Sequence, residues 1–382
     1  MKKKYVIEFI LFMSYMLFAM SWVASTSFMK EIMQAVDMHS LTQASFLSTA
    51  LTFAKIIGTF IAAWTIVKFG IRKAFIVASI LMCLSIVTPY ATSFSVLLIS
   101  RFLMGLGGAL VIVYFNPIVY QLFAPEERAV INGLNAIAFN VGTAIIMFGV
   151  GGFLAIFGGW QQTLTAISIA SLVMLILWLI FGKMEITPAK PNADGSTQNY
   201  SLIDGLKDKF NWVFALTYAG LLAFYIVLFT FYPKAGISQA KEVILFGIVG
   251  AIAGMFYSNK FSKRIPVLRV SGLIQVIAAF GLSFAFSPTM ATICAALLGF
   301  FMFLPMPALI TYAQERSGMT AQKISVTFSL FWSISYLVAT VMPTIFAKIV
   351  DLNNGNYHTA FIFICLVEGS FFVGSLFLRE NK

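Results

Sequence analysis

Charge is what this chain has least of. Only 10% of its 382 residues are Asp, Glu, Lys or Arg, against roughly a quarter in a soluble domain. With 60% hydrophobic residues, there is too little polar surface to cover a globule in water. Acidic residues are scarcer than basic ones, 14 against 25, which leaves a net charge of +11. That surplus is not a nucleic-acid footprint, because of where it falls. Of the 25 Lys and Arg, 19 lie in segments assigned to the cytoplasmic side, four lie outside, and Lys55 and Arg101 fall within apolar stretches. Such an asymmetry follows the positive-inside rule. It points to an integral protein of the bacterial inner membrane with both termini in the cytoplasm.

Other scarcities exclude other chemistries. The three Cys (83, 294 and 365) each sit alone in an apolar segment, so they form neither a disulfide framework nor a metal spacing. His39 and His358 are isolated, in or beside outer loops. The sequence holds no nucleophile–base pair, no phosphate-binding loop and no nucleotide-binding motif. The reading is therefore a non-enzyme with no cofactor and no direct use of ATP.

What the chain has in abundance is apolar length. Twelve apolar stretches occur, roughly 5–28, 43–67, 74–91, 94–121, 129–157, 160–182, 210–233, 242–258, 266–287, 289–313, 323–349 and 358–378. A helix needs about 20 residues to cross the hydrocarbon core. Met1 to Lys4 followed by an apolar run resembles a signal peptide in outline, but Tyr5 to Phe28 is too long for an h-region, and eleven further spans follow. Lys183 to Lys209 is the one long interior polar break, with Pro188, Pro191, Asp194, Gly195 and Ser196 favouring turns; Ser201 to Lys209 is expected as a short surface helix. The expected architecture is an all-α membrane protein with an amino-terminal six-helix bundle (1–182), a cytoplasmic linker (183–209) and a carboxy-terminal six-helix bundle (210–382). The halves echo each other. Asn116-Pro117 is followed by Glu126-Glu127-Arg128, and Met306-Pro307 by Gln314-Glu315-Arg316, with the prolines 190 positions apart. Duplicated helical bundles are a mark of secondary transporters.

Several short signatures resemble the major facilitator superfamily. Lys68-Phe69-Gly70-Ile71-Arg72-Lys73 is similar to the latter part of that family's basic loop between helices 2 and 3. Gly70, Arg72 and Lys73 match a loop that gates the family's conformational change, but Val67 replaces its Asp. The plain alternative is charge that sets topology. Arg101 followed by Gly105 and Gly107 resembles the R-x-x-x-G-x-G motif of helix 4. Gly133 and Gly142 have the spacing that opens the antiporter motif of drug exporters, but Ile146-Met147 replaces its Gly-Pro. The resemblance implies the major facilitator fold, alternating access, and a cavity lined by helices 1, 4, 7 and 10. On that analogy the candidate substrate contacts are Tyr15, Trp22, Tyr114, Asn116, Tyr218 and Tyr225, each of which is equally read as a packing residue.

Charges inside the spans are the sharpest pointers, because a charge in hydrocarbon must find a partner or a wet cavity. Lys55 sits at the middle of the second stretch. It reads as a cation that attracts an anionic substrate, or as a structural partner to a buried oxygen. Its surroundings are loosely similar to a helix-2 segment of organophosphate antiporters. Arg101 reads as a brace for helix 4 or a contributor to coupling, and Glu368 as a structural group or a proton-coupling carboxyl. The first stretch has no mid-span carboxylate, where sugar and drug carriers of the family place a proton site.

The sequence thus reads as a secondary transporter for a small organic or inorganic anion, working as a monomer in the lipid bilayer, with protons or a counter-transported anion as coupling partner. Efflux of an amphiphilic drug or siderophore is the alternative. A transporter-like receptor is a further one, disfavoured because no long cytoplasmic extension is present. Pro305 and Pro307 are expected to bend the tenth stretch.

Overall fold

The computed structural model describes residues 3–38, 41–183 and 200–380. His39 and most of the expected linker lie outside the described residues. All regular structure among the described residues is helical. The helices are α1 (Lys3–Ser27), α2 (Met29–Ala35), α3 (Leu41–Cys83, followed by a 3-10 segment, Leu84–Tyr90), α4 (Phe94–Leu122), α5 (Pro125–Phe157), α6 (Trp160–Phe181), α7 (Leu202–Lys207), α8 (Lys209–Phe231), α9 (Ala240–Lys260), α10 (Ile265–Ser283), α11 (Pro288–Phe303), α12 (Met306–Gln314), α13 (Ala321–Leu352), α14 (His358–Glu368) and α15 (Ser370–Phe377).

Eleven runs among the described residues are long and apolar enough to cross a membrane. One of them, Ala50–Tyr90, has 41 residues, about twice what a bilayer requires. Gly70 interrupts it with φ 74° and ψ 154°, a left-handed conformation that a side chain would strain. Counting either side of Gly70 as a crossing gives twelve apolar crossings. Large side chains such as Ile156, Phe256, Phe286 and Phe377 are exposed, as lipid-facing residues are.

The breaks within crossings have local causes. Pro305 and Pro307 lack the N–H a continuous helix requires, and α11 ends at Phe303 while α12 starts at Met306. The crossing near the carboxyl end divides at Gly369 into α14 and α15. At the expected surface helix, α7 starts on a capping box. Ser201 accepts from the Asp204 N–H, and the Asp204 carboxylate accepts from the Ser201 N–H at 2.9 Å. The Ser201 hydroxyl also donates to the Asp204 carboxylate at 2.6 Å, and this bond, with the one from the Ser201 N–H, holds the exposed Asp204 carboxyl below its ordinary value.

Two compact units emerge. The first comprises Met1–Leu122 and Ile137–Gln198; the second comprises Phe123–Ala136 and Asn199–Lys382. The first is organised around α4, whose three clustered glycines each meet a different neighbour. Gly105 faces Leu51 and Ala54 before the Gly70 turn, Gly107 faces Ala78 and Met82 after it, and Gly108 lies against the Phe18 ring of α1. A methyl group at any of the three would overlap its neighbour, so the missing side chains are what allow the close packing. In the second unit α8 packs on α13, and α9 on α11, around an aromatic stack of Phe214, Tyr218, Phe328, Phe331 and Trp332.

Candidate functional site

In the first unit the sequence places Tyr15, Phe18 and Trp22 at i, i+3 and i+7 on α1, one face of a helix. Lys55 of α3 meets that face. Its Nζ lies 4.8 Å from the Trp22 ring centroid, 5.4 Å from Phe18 and 6.0 Å from Tyr15; Phe139 of α5 adds a fourth ring at 5.1 Å. The rings also hold one another: Trp22 and Phe139 meet edge to face at 5.7 Å, and Tyr15 touches Phe115 of α4 at 5.4 Å. Lys55 is 3% exposed, yet Trp22 and Phe139 are only half-buried. A cation over an aromatic face gains about 2 kcal/mol when desolvated, which offsets part of the several kcal/mol that burial of an ammonium costs.

Arg101 anchors the same face of α1 one turn further on. Its guanidinium NH1 donates to Ser25 Oγ at 3.0 Å, and Ser25 donates in turn to the Ser21 carbonyl at 2.7 Å. The Nε of Arg101 has no partner among the described residues. With Arg101 2% exposed, two cations serve α1 and create a potential that an anion would neutralise.

The other residues expected from sequence have different surroundings. Tyr114 is fully buried, with its hydroxyl 2.6 Å from Thr65 Oγ1. The Asn116 amide donates to the Ile112 carbonyl of its own helix at 3.3 Å. Tyr218 and Tyr225 belong to the second unit, Tyr218 stacked on Phe331 and Tyr225 edge to face with Phe229 at 4.5 Å. In the loop with Gly70, Arg72 donates to the Leu179 carbonyl at 3.3 Å while its own carbonyl accepts from the Trp178 indole; Lys73 is exposed. Glu368 is 0% exposed, and neither of its carboxyl oxygens has a hydrogen-bond partner among the described residues.

The structure adds groups that the sequence did not single out as site residues. Phe18 shared the spacing of Tyr15 and Trp22 and was legible in principle; Phe139 carried no local signal. In the second unit Arg264 forms a two-pronged pair with Glu315, at 3.1 Å from Nε and 2.9 Å from NH2. Arg316 pairs with Asp208 at 2.8 Å and lies over the Phe210 ring at 4.2 Å. Burial acts to raise the Asp208 carboxyl, but the hydrogen bonds from Arg316 and the Phe210 N–H outweigh it and hold the group below its ordinary value. Asn132 donates to Thr311 Oγ1 at 3.0 Å and Gln314 Oε1 at 2.8 Å. No cluster of metal-ligating side chains occurs among the described residues.

A family model described as Major Facilitator Superfamily matches residues 9–343. An uncharacterised protein of Campylobacter jejuni, Cj0987c, is 31% identical over 315 residues, covering 77% of this chain and 95% of the relative. A protein named hexuronate transporter from Bacillus subtilis is 23% identical over 350 residues, 85% of this chain and 82% of its own. Among solved structures, the Escherichia coli fucose:proton symporter FucP superposes with a TM-score of 0.76 at 16% identity over 100% of both chains. The proton:xylose symporter XylE gives 0.71 at 15% identity over 98% of this chain and 94% of its own. At such identities the structural likeness is one of fold.

Proposed function

This chain belongs to the major facilitator superfamily, an integral membrane transporter and not an enzyme, and from that premise we propose that it carries a small organic anion of sugar-acid size by alternating access. The observation that carries this reading is the Lys55 ammonium, buried among Tyr15, Phe18, Trp22 and Phe139. A carboxylate would pair with Lys55, drawn in by the added field of Arg101. The half-buried face of Trp22 would take the apolar face of a sugar ring, as aromatic rings do in ligand sites. The name of the Bacillus subtilis relative, a hexuronate transporter, supports this class, since a hexuronate joins a pyranose ring to a carboxylate. We place the protein in a bacterial cytoplasmic membrane with both termini cytoplasmic, on the distribution of its Lys and Arg, and take a single chain as the working unit because the internal repeat already supplies both halves of a pore.

A thermal-shift screen of the purified protein tests the class. Binding to the folded state raises the melting temperature. Glucuronate and gluconate are expected to raise it, and fucose, xylose and hydrophobic drugs to leave it unchanged. Lys55→Ala should lose about 2 kcal/mol or more of anion binding, roughly thirtyfold in affinity. A shift with neutral sugars alone, or with hydrophobic drugs alone, would overturn the anion reading.

A further inference from the structure

We propose that Glu368 is a proton-binding site at mid-depth in the second unit, loaded from the outer end of that unit along a buried path through Ser283 and Cys365. The inference rests on the chain's being a transporter and not on the anion reading of Lys55, so either can fail alone.

Glu368 is fully buried, and neither of its carboxyl oxygens has a hydrogen-bond partner among the described residues. A buried polar group in that condition needs a physical reason. A bound proton supplies one, because it removes the charge whose burial costs several kcal/mol. Glu368 is the last residue of α14, which starts at His358 and has 11 residues. That places it about 15 Å along the helix axis, half the thickness of the hydrocarbon core. With both termini cytoplasmic, α14 starts at the outer face.

A chain of exchangeable groups leads to it from that side. Cys365 precedes Glu368 by one turn on the same helix face, and the Glu368 charge acts on both Cys365 and Tyr232. Cys365 Sγ lies 3.4 Å from Ser283 Oγ. Ser283 is the last residue of α10 and is 8% exposed, whereas Cys365 is fully buried. Two further bonds fix Ser283: it donates to the Ala279 carbonyl at 2.8 Å, and its Oγ lies 2.6 Å from the Tyr232 hydroxyl. Hydroxyl, thiol and carboxyl thus follow one another inward, and each can give and take a hydrogen.

The elements packed on α14 are α8, α10, α13 and α15. Their other ionisable groups have different surroundings. Tyr218 and Tyr225 of α8 meet Phe331 and Phe303, and Tyr336 of α13 stacks on Trp332. Arg269 of α10 donates to the Ser375 and Leu378 carbonyls. Lys209, Lys323, Lys348, Asp351 and His358 lie near helix ends, and α15 carries no ionisable side chain. No cation hydrogen-bonds to Glu368 among the described residues.

Loading balances. The Glu368 carboxylate takes the thiol proton of Cys365, Cys365 takes the hydroxyl proton of Ser283, and Ser283 takes one from hydronium in the outer water. Every electron pair stays on its own oxygen or sulfur. The O–H bond gained at Glu368 replaces the one lost by hydronium, so one proton has moved inward.

The test is infrared spectroscopy of the full chain in lipid vesicles. A neutral carboxyl shows a C=O stretch that shifts when deuterium replaces its hydrogen. At neutral pH the wild type is expected to show that band, Glu8→Gln to keep it and Glu368→Gln to lose it. After a switch to heavy water, Cys365→Ala and Ser283→Ala should slow the deuterium shift by about tenfold or more. Cys365→Ser restores a group that passes a proton and should recover most of the wild-type rate, which a packing role for the thiol would not produce. A wild type without the band overturns the proton site, and needs no variant to do so. So does a band that persists in Glu368→Gln. A deuterium shift as fast in Cys365→Ala and Ser283→Ala as in wild type overturns the path.

Discussion

The Nζ of Lys55 lies 4.8 Å from the centroid of the Trp22 ring, which makes Trp22 the nearest of four rings around a buried charge. That relationship ties the two roles of the site together: the ring that steadies the ammonium is also one that is only half-buried and free to touch a ligand.

Trp22→Ala should therefore weaken probe binding by about tenfold, and Trp22→Phe by less, since a smaller ring keeps part of the cation–π attraction. Isothermal titration of glucuronate against the two variants checks the order. Equal losses in both would mean that the indole acts by shape alone.

Gly108 lies against the Phe18 ring, and Phe18 is part of the cage. Gly108→Ala has to push that ring away. We expect a stability loss of about 1–3 kcal/mol from overpacking, together with reduced transport, because the displaced ring loosens the cage. Gly151→Ala, with open space around it, is the control and should leave the melting temperature nearly unchanged.

The Arg264–Glu315 pair differs from a surface ion pair in that the Arg264 side chain is only 7% exposed. Arg264 also donates to the Ser258 and Phe261 carbonyls, at 2.6 Å and 2.8 Å, so it cannot swing out to water without losing them. Removing its carboxylate leaves a guanidinium stranded, and Glu315→Ala is expected to destabilise the protein by about 3 kcal/mol. Thermal denaturation in detergent measures it. The double variant Glu315→Ala/Arg264→Met should recover part of the loss.

Asp208 sets a pH limit. Its carboxyl is held below the ordinary value in the folded protein, so its pairing contributes fully above the unfolded value of about 3.8 and is lost as pH falls through the lower, folded one. Both side chains are about a third exposed, at 37% and 29%, and solvent screening keeps the gain to about 0.5–1 kcal/mol. Asp208→Asn should lower the melting temperature slightly at neutral pH and flatten its decline toward acid. A decline as steep as in wild type would show that other carboxyls govern it.

Much of the fold was legible because a bilayer imposes length and composition directly. The stretch boundaries fell close to helices α1, α4, α6 and α8, and the prolines at 305 and 307 announced the break between α11 and α12. One boundary was hidden in the opposite sense. Residues 68 to 73 read as a loop, whereas the helix continues up to and beyond a single residue, Gly70, whose backbone alone makes the turn. A loop of several residues and one left-handed glycine look alike in sequence.

The candidate site was legible only in part. Lys55 stood out because a charge at mid-span is expensive anywhere in hydrocarbon, and Tyr15 and Trp22 because the family resemblance puts helix 1 on the cavity. Phe139 lies 84 residues from Lys55 and resembles any of the chain's 40 phenylalanines; nothing local distinguishes it. Glu315 and Arg316 stood out only as part of the internal echo, and the partners of Arg264 and Arg316 appear only when helix ends distant in sequence meet.

Composition and the spacing of apolar stretches were enough to show that this chain lives in a membrane, crosses it many times, and carries a few charges that need an explanation. Those properties follow from transfer free energies, which add up residue by residue along the chain. What surrounds each charge came from the packing of the helices. Cation–π contacts and ion pairs act over a few ångströms between side chains on different helices, so it is the packing of α1 and α3 on the glycines of α4, with Phe139 added by α5, that puts Lys55 among four rings.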